Sequence, residues 1–130
     1  GTVGLEEIVK FLKFCGWYRR QITLIHTQLS HQLADANLMA IKTIREKFNI
    51  PVAFGNHAPN HNILYTALGL EPADIFFYVR GNKQIKHRDQ EHAISLAAYP
   101  EIIKNLRALS VVLGDGRKVK STIKIEGMSK

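Results

Sequence analysis

The sequence holds a single cysteine, Cys15, in 130 residues, so no disulfide can form within the chain. A reducing, cytoplasmic setting is the simplest expectation for such a chain. No apolar run approaches the roughly 20 residues that a membrane helix needs, so no membrane partner is expected. The first residues lack the basic-then-apolar pattern of a secretory leader. HExxH is absent, and no motif marks a nucleophile for Ser-His-Asp chemistry. Gly114-Asp115-Gly116 follows a helical pattern instead of opening one, which makes it a turn and not a phosphate loop. No recognised nucleic-acid-binding motif is present either.

What is there is ordinary globular composition: 45% hydrophobic and 22% charged residues, enough for one domain with a real core. The net charge is +7. Basic chains attract phosphates and anionic surfaces in general. Here the charge is divided between Arg19-Arg20 and a tail carrying Arg117, Lys118, Lys120, Lys124 and Lys130. A solvated basic surface is therefore expected, and nucleic acid is not expected as a partner. Trp17 and Tyr18, beside Arg19 and Arg20, read as a loop anchor in preference to a contact patch. Cys15 reads as core, because it continues an apolar helical stripe.

The periodicities alternate between helix and strand. Leu5, Ile8, Val9, Leu12 and Cys15 recur at helical spacing, and Gly16 stands where a C-terminal cap belongs. Residues 21–27 form a short β-branched run and predict a strand. Asp35 is placed to cap a helix with the stripe Leu38, Ile41, Ile44 and Phe48. Residues 51–55 predict a second strand. Asn60 is placed to cap a third helix carrying Ile63, Leu64, Ala67 and Leu68. Residues 73–79 are almost wholly apolar, as in a strand covered on both faces. Residues 80–91 are too polar for a core. Pro100 sits in the first turn of a last helix with the stripe Ile102, Ile103, Leu106, Leu109 and Leu113. Residues 120–125 are open to a short strand or an extended tail. The pattern predicts an α/β protein of consecutive βα units on a parallel sheet.

The order of several short motifs resembles one family. Gly1-Thr-Val-Gly-Leu-Glu-Glu-Ile8 is similar to the turn into a helix in the N-acetylneuraminate (sialic acid) synthases. Ile25-His26-Thr27 resembles their L-H-C strand end, and Asp35-Ala-Asn-Leu38 their D-x-N-L helix start. Pro51 to His57 is similar to P-V-G-Y-S-D-H, Glu91 to Leu96 to D-H-x-x-S-L, and Pro100-Glu101 to P-E-E. The resemblance spans residues 1–118. It implies the last three strands of a (β/α)₈ TIM barrel, a partial barrel over residues 1–114 with a basic C-terminal tail at 115–130. The family condenses phosphoenolpyruvate with an N-acetylated amino sugar to a nine-carbon sugar acid, using a divalent metal, Mn or similar.

By that resemblance His57 is the metal ligand, and Glu91 holds the position of a sugar-contacting acid with a catalytic role. Gln28, His31, Asn56, Arg80 and His92 are the expected substrate-binding positions. The pattern is also eroded. The family's second ligand, in E-K-H-F, falls on Phe77-Tyr78-Val79-Arg80, where no imidazole remains; His61 and His87 are the nearby substitutes. The phosphate-facing serine is Gly55. A divergent synthase-like domain, inactive as an isolated chain, is one expectation, and a non-catalytic interaction or regulatory module is the other. A third is an anionic sugar or phosphorylated ligand near His57, Arg80 and Lys86. Too few strands to close a barrel predict the remainder of a longer barrel, association with a second copy as a homo-oligomer, or a different, self-contained α/β packing.

Overall fold

The computed structural model describes residues 2–81, 87–118 and 120. Lys86, and the extended segment considered at 120–125 apart from Lys120, lie outside the described residues. The helices are α1 (Leu5–Cys15), α2 (Met39–Phe48), α3 (Asn62–Leu68) and α4 (Tyr99–Leu113). The strands are β1 (Leu24–Thr27), β2 (Val52–Gly55), β3 (Ile75–Phe76), β4 (Val79–Arg80) and β5 (Ile94–Ser95). The strands form two parallel sheets, β1-β2-β3 and β4-β5. The α/β class and the parallel βα run follow the sequence prediction.

Local chemistry explains the helix ends. At the start of α1 the Gly4 N–H donates to Glu7 Oε2 at 2.9 Å, and Gly16 ends the helix at φ +55°, open to glycine at little cost. Asn60 Oδ1 accepts the Asn62 N–H at 3.0 Å and so caps the start of α3. Asp35 does not cap α2, contrary to the sequence expectation. It lies in a 3₁₀ turn, Leu33–Ala36, followed by Asn37 at φ 40°, and the helix begins only at Met39. A left-handed residue cannot be carried inside a right-handed helix, so Asn37 delays the start.

The parallel register sorts the first sheet into two faces. Leu24, His26, Val52, Phe54 and Ile75 share one, and Ile25, Thr27, Ala53, Gly55 and Phe76 the other. The first face builds the core: Val52 and Phe54 pack with Ile41 and Ile44 of α2 and with Ile63, Leu64 and Ala67 of α3. The second is only partly covered, with Ile25 52% and Phe76 51% exposed. Among the described residues β1 and β5 are unpaired on their outer edges.

The single strand expected over residues 73–79 is broken. The Asn56 N–H donates to the Phe76 carbonyl at 2.9 Å, while the Ile94 N–H donates to the Tyr78 carbonyl at 2.8 Å. The chain thus leaves the β2 ladder and joins β5 two residues later. β5 adds one strand beyond the predicted three and lies just after the polar stretch. The later part of the α4 stripe is uncovered, with Leu109 38% and Leu113 42% exposed. Cys15 is half-buried, not core. Trp17 and Tyr18 are exposed, so they do not anchor their loop.

Candidate functional site: a histidine cluster at the strand ends

His57 leaves the C-terminal end of β2, the end at which parallel barrels place their chemistry. The loop is held by Asn56, which is 1% exposed. Its side-chain amide donates to the Ala58 carbonyl at 3.0 Å, and its Oδ1 accepts the Ala58 N–H at 2.9 Å. Both ends of that amide are engaged inside the loop, so Asn56 shapes the turn that presents His57.

Around His57 the chain gathers further rings. His92, on the turn before β5, has its ring centre 4.8 Å from that of His57 and 5.2 Å from that of His31. Tyr78 stands edge-on to both His57 and His92, at 5.4 Å and 5.1 Å. The His31 Nδ1–H donates to Glu91 Oε2 at 3.0 Å, tying the segment after β1 to the turn before β5. His92 is 2% exposed, and neither ring nitrogen has a hydrogen-bond partner. Burial holds it below the ordinary imidazole value, and neighbouring His57 pushes the same way against the opposite pull of Asp89. Buried polar groups are nearly always paired, so two orphaned ring nitrogens are an unusual feature.

His57, Asp89 and His92 each bring one ligand atom to a single spot, all within 4.8 Å of one another. His92 Nε2 and Asp89 Oδ1 are 3.6 Å apart. That is too long for a hydrogen bond, but two ligands of one tetrahedral ion with bonds near 2.1 Å stand roughly 3.4 Å apart. Two imidazoles and a carboxylate suit a first-row divalent metal. The donor set and the orphaned His92 nitrogens therefore fit such an ion.

Of the positions singled out in the sequence, the structure brings His31, His57, Glu91 and His92 together. Arg80 borders the group on the side of a hollow that it lines with His87, Arg88, Gln90 and Glu91, and its Nε is buried without a partner. Gln28 faces a different hollow, lined also by Leu5, Ile8, Ile25 and Met39. Asn56 is inside its loop. His61 and His87 are not in the three-ligand cluster. Gly55 packs tightly: a Cβ there would stand 3.2 Å from both Ile25 Cγ2 and Thr27 Cβ. Sequence reasoning missed Asp89 and Tyr78. The Asp89-x-x-His92 spacing was the available signal for the first.

A model described as the NeuB family matches residues 1–118. The chain belongs to the NeuB family. One relative is an uncharacterised protein of Methanocaldococcus jannaschii, 33% identical over 122 residues that cover 87% of this chain and 34% of that protein. Another is the N,N'-diacetyllegionaminic acid synthase of Campylobacter jejuni, 24% identical over 116 residues, 88% of this chain and 35% of that protein. Among solved structures, the N-acetylneuraminic acid (sialic acid) synthetase of Leptospira borgpetersenii superposes with a TM-score of 0.84 at 20% identity, covering 94% of this chain and 44% of that one. The NeuB-family chain thus spans about a third of the length of the curated relatives it matches. Its fold is part of a sialic acid synthetase-like barrel. Among the described residues no helix is long and apolar enough to cross a membrane.

Proposed function

We propose that this chain is the strand-end segment of a NeuB-type barrel that condenses phosphoenolpyruvate with an N-acetylated amino sugar, and that it is inactive until the rest of the barrel covers it. The reaction balances with one water consumed: a carbon–carbon bond forms between the enol carbon and the sugar aldehyde, and inorganic phosphate leaves. The observation that carries the reading is the convergence of His31, His57, Glu91 and His92 where the strands end. Residues 1–114 form the partial barrel in this reading, and residues 115–130 a basic tail.

Glu91 is our catalytic candidate. It is held by His31 and within reach of proton transfer only if that pair opens toward substrate. Arg80, with its unpartnered Nε, and His31 present positive or hydrogen-bonding groups to a phosphorylated or carboxylated ligand. Gln28 lines the separate hollow beside β1 and takes no part in this arrangement. Asn56 serves as a positioning residue for His57. A divalent cation, when bound, supplies Lewis-acid polarisation of the aldehyde oxygen.

A second reading, a non-catalytic module, is favoured by one specific observation: the Asn56 amide is consumed within its own loop. The test is a chimera in which this chain replaces the matching segment of the Leptospira synthetase. Phosphate release from phosphoenolpyruvate, dependent on the amino sugar, is the expected result, with none from the isolated chain. A folded chimera that releases no phosphate would establish the non-catalytic reading instead.

A further inference from the structure

We infer that the end of α1 and the 3₁₀ turn that follows it, Gly16–Gln21, dock on the surface of an anionic lipid bilayer. The inference does not rest on the function proposed above. The turn runs into the start of β1, and the three-stranded sheet is parallel, so this contact lies at the N-terminal ends of the strands. The histidine cluster lies at the C-terminal ends and stays free.

The apolar side chains of this region are divided between core and solvent. Leu5, Ile8 and Leu12 turn one side of α1 inward. Helical spacing puts Phe14 on the opposite side, where it is 89% exposed. Trp17 and Tyr18 are 68% and 64% exposed, with their ring centres 6.1 Å apart. Neighbouring aromatic side chains left in water together mark a contact surface.

The charge around them has one sign. No acidic residue occurs between Glu7 and Asp35, and Lys10, Lys13, Arg19 and Arg20 are all exposed. Among the described residues none of these four is in an ion pair. Lys13 and Arg19 also meet Lys47 of α2 around a hollow of about 220 Å³, whose other walls are Val9, Leu12 and Phe48. An apolar floor beneath three cations suits an anionic headgroup and the first carbons attached to it.

Charge complementarity selects the partner. A second copy packed through this region about a two-fold axis would set these cations against their own copies. A nucleic-acid single strand is bound by aromatic faces ranged along a groove, whereas Trp17 and Tyr18 are tilted by 55° to each other at a protruding helix end. A bilayer answers both features at once. Its anionic headgroups neutralise the cations. The amphipathic Trp and Tyr rings suit the headgroup level, and Phe14 reaches below it. Such a contact needs no membrane-crossing helix.

Trp17 is the chain's single tryptophan, so its emission reports the contact directly. The intact chain is titrated with vesicles of equimolar phosphatidylserine and phosphatidylcholine, and with vesicles of phosphatidylcholine alone. A blue shift is expected with the anionic vesicles and not with the neutral ones. Lipids brominated on their acyl chains quench the shifted emission, and added salt weakens binding. Arg19→Gln combined with Arg20→Gln weakens binding at least about tenfold, since each cation near such a surface is worth about fivefold in affinity. Phe14→Ser weakens it too, while Lys104→Gln, at an exposed lysine of α4, binds as wild type. All of these positions are exposed, so the melting temperature of each variant stays that of the wild type, which separates lost binding from lost fold. The inference is overturned if Trp17 emission does not respond to anionic vesicles, if neutral vesicles bind as tightly, or if the double arginine variant binds as wild type. Emission that ignores vesicles but responds to a single-stranded oligonucleotide, or to protein concentration alone, would overturn it in favour of nucleic acid or of a second copy.

Discussion

The open face of the first sheet makes a matched pair of substitutions informative. Ile25 and Ile94 are both strand isoleucines, but Ile25 is 52% exposed on the uncovered face and Ile94 is fully buried. Replacing each by threonine preserves branching at Cβ and so preserves strand preference. At Ile94 the change loses about 1.6 kcal/mol for the two missing apolar carbons. It also buries a hydroxyl with no partner, which costs about 1–3 kcal/mol more. The sum is about 3–5 kcal/mol. At Ile25 half of the side chain is already in water, so the apolar loss falls to about 0.8 kcal/mol and the hydroxyl stays hydrated. Urea unfolding followed by circular dichroism measures both, and comparison is valid while the slope with denaturant is unchanged. If Ile25→Thr destabilises as much as Ile94→Thr, the face is covered in solution and the description of it as open is wrong. A concentration dependence of that loss would identify the cover as a second copy.

Other expectations follow from single contacts. Leu64 of α3 is fully buried in the core cluster, so Leu64→Ala costs about 2–5 kcal/mol by denaturant unfolding. Glu71 holds a left-handed backbone at φ 52°, and Glu71→Gly raises stability by up to about 1 kcal/mol, whereas Glu71→Val lowers it. Arg45 Nη1 donates to the Leu70 and Glu71 carbonyls at 2.8 and 2.7 Å; Arg45→Met loses about 1–3 kcal/mol, seen as a lower urea midpoint. Asn56→Ala removes both bonds to Ala58 and lowers stability by about 1–3 kcal/mol, seen as a lower urea midpoint.

Much of the fold was legible because it rests on local rules. Helical spacing located the cores of α1, α2, α3 and α4, and the apolar runs at residues 21–27 and 51–55 located β1 and β2. What escaped was decided by tertiary contact. Nothing in Ala-Asp-Ile-Phe-Phe-Tyr-Val announces that the ladder changes partners between Phe76 and Tyr78; that break exists because β5 offers its N–H groups to Tyr78 and Arg80. The late start of α2 depends on one left-handed asparagine, Asn37, that spacing alone does not reveal. The site divides in the same way. His57 was readable from a strand end and a family pattern. Asp89 was not, because its only sequence mark is a place three residues before His92 in a polar stretch.

We propose that the strand ends of this chain carry NeuB-type chemistry. Amino-sugar-dependent phosphate release by the synthetase chimera, compared with the same chimera bearing His57→Ala, tests it most directly. Measurable turnover is expected, falling at least about a hundredfold on His57→Ala while the chimera remains folded. Equal turnover with and without His57 would contradict it.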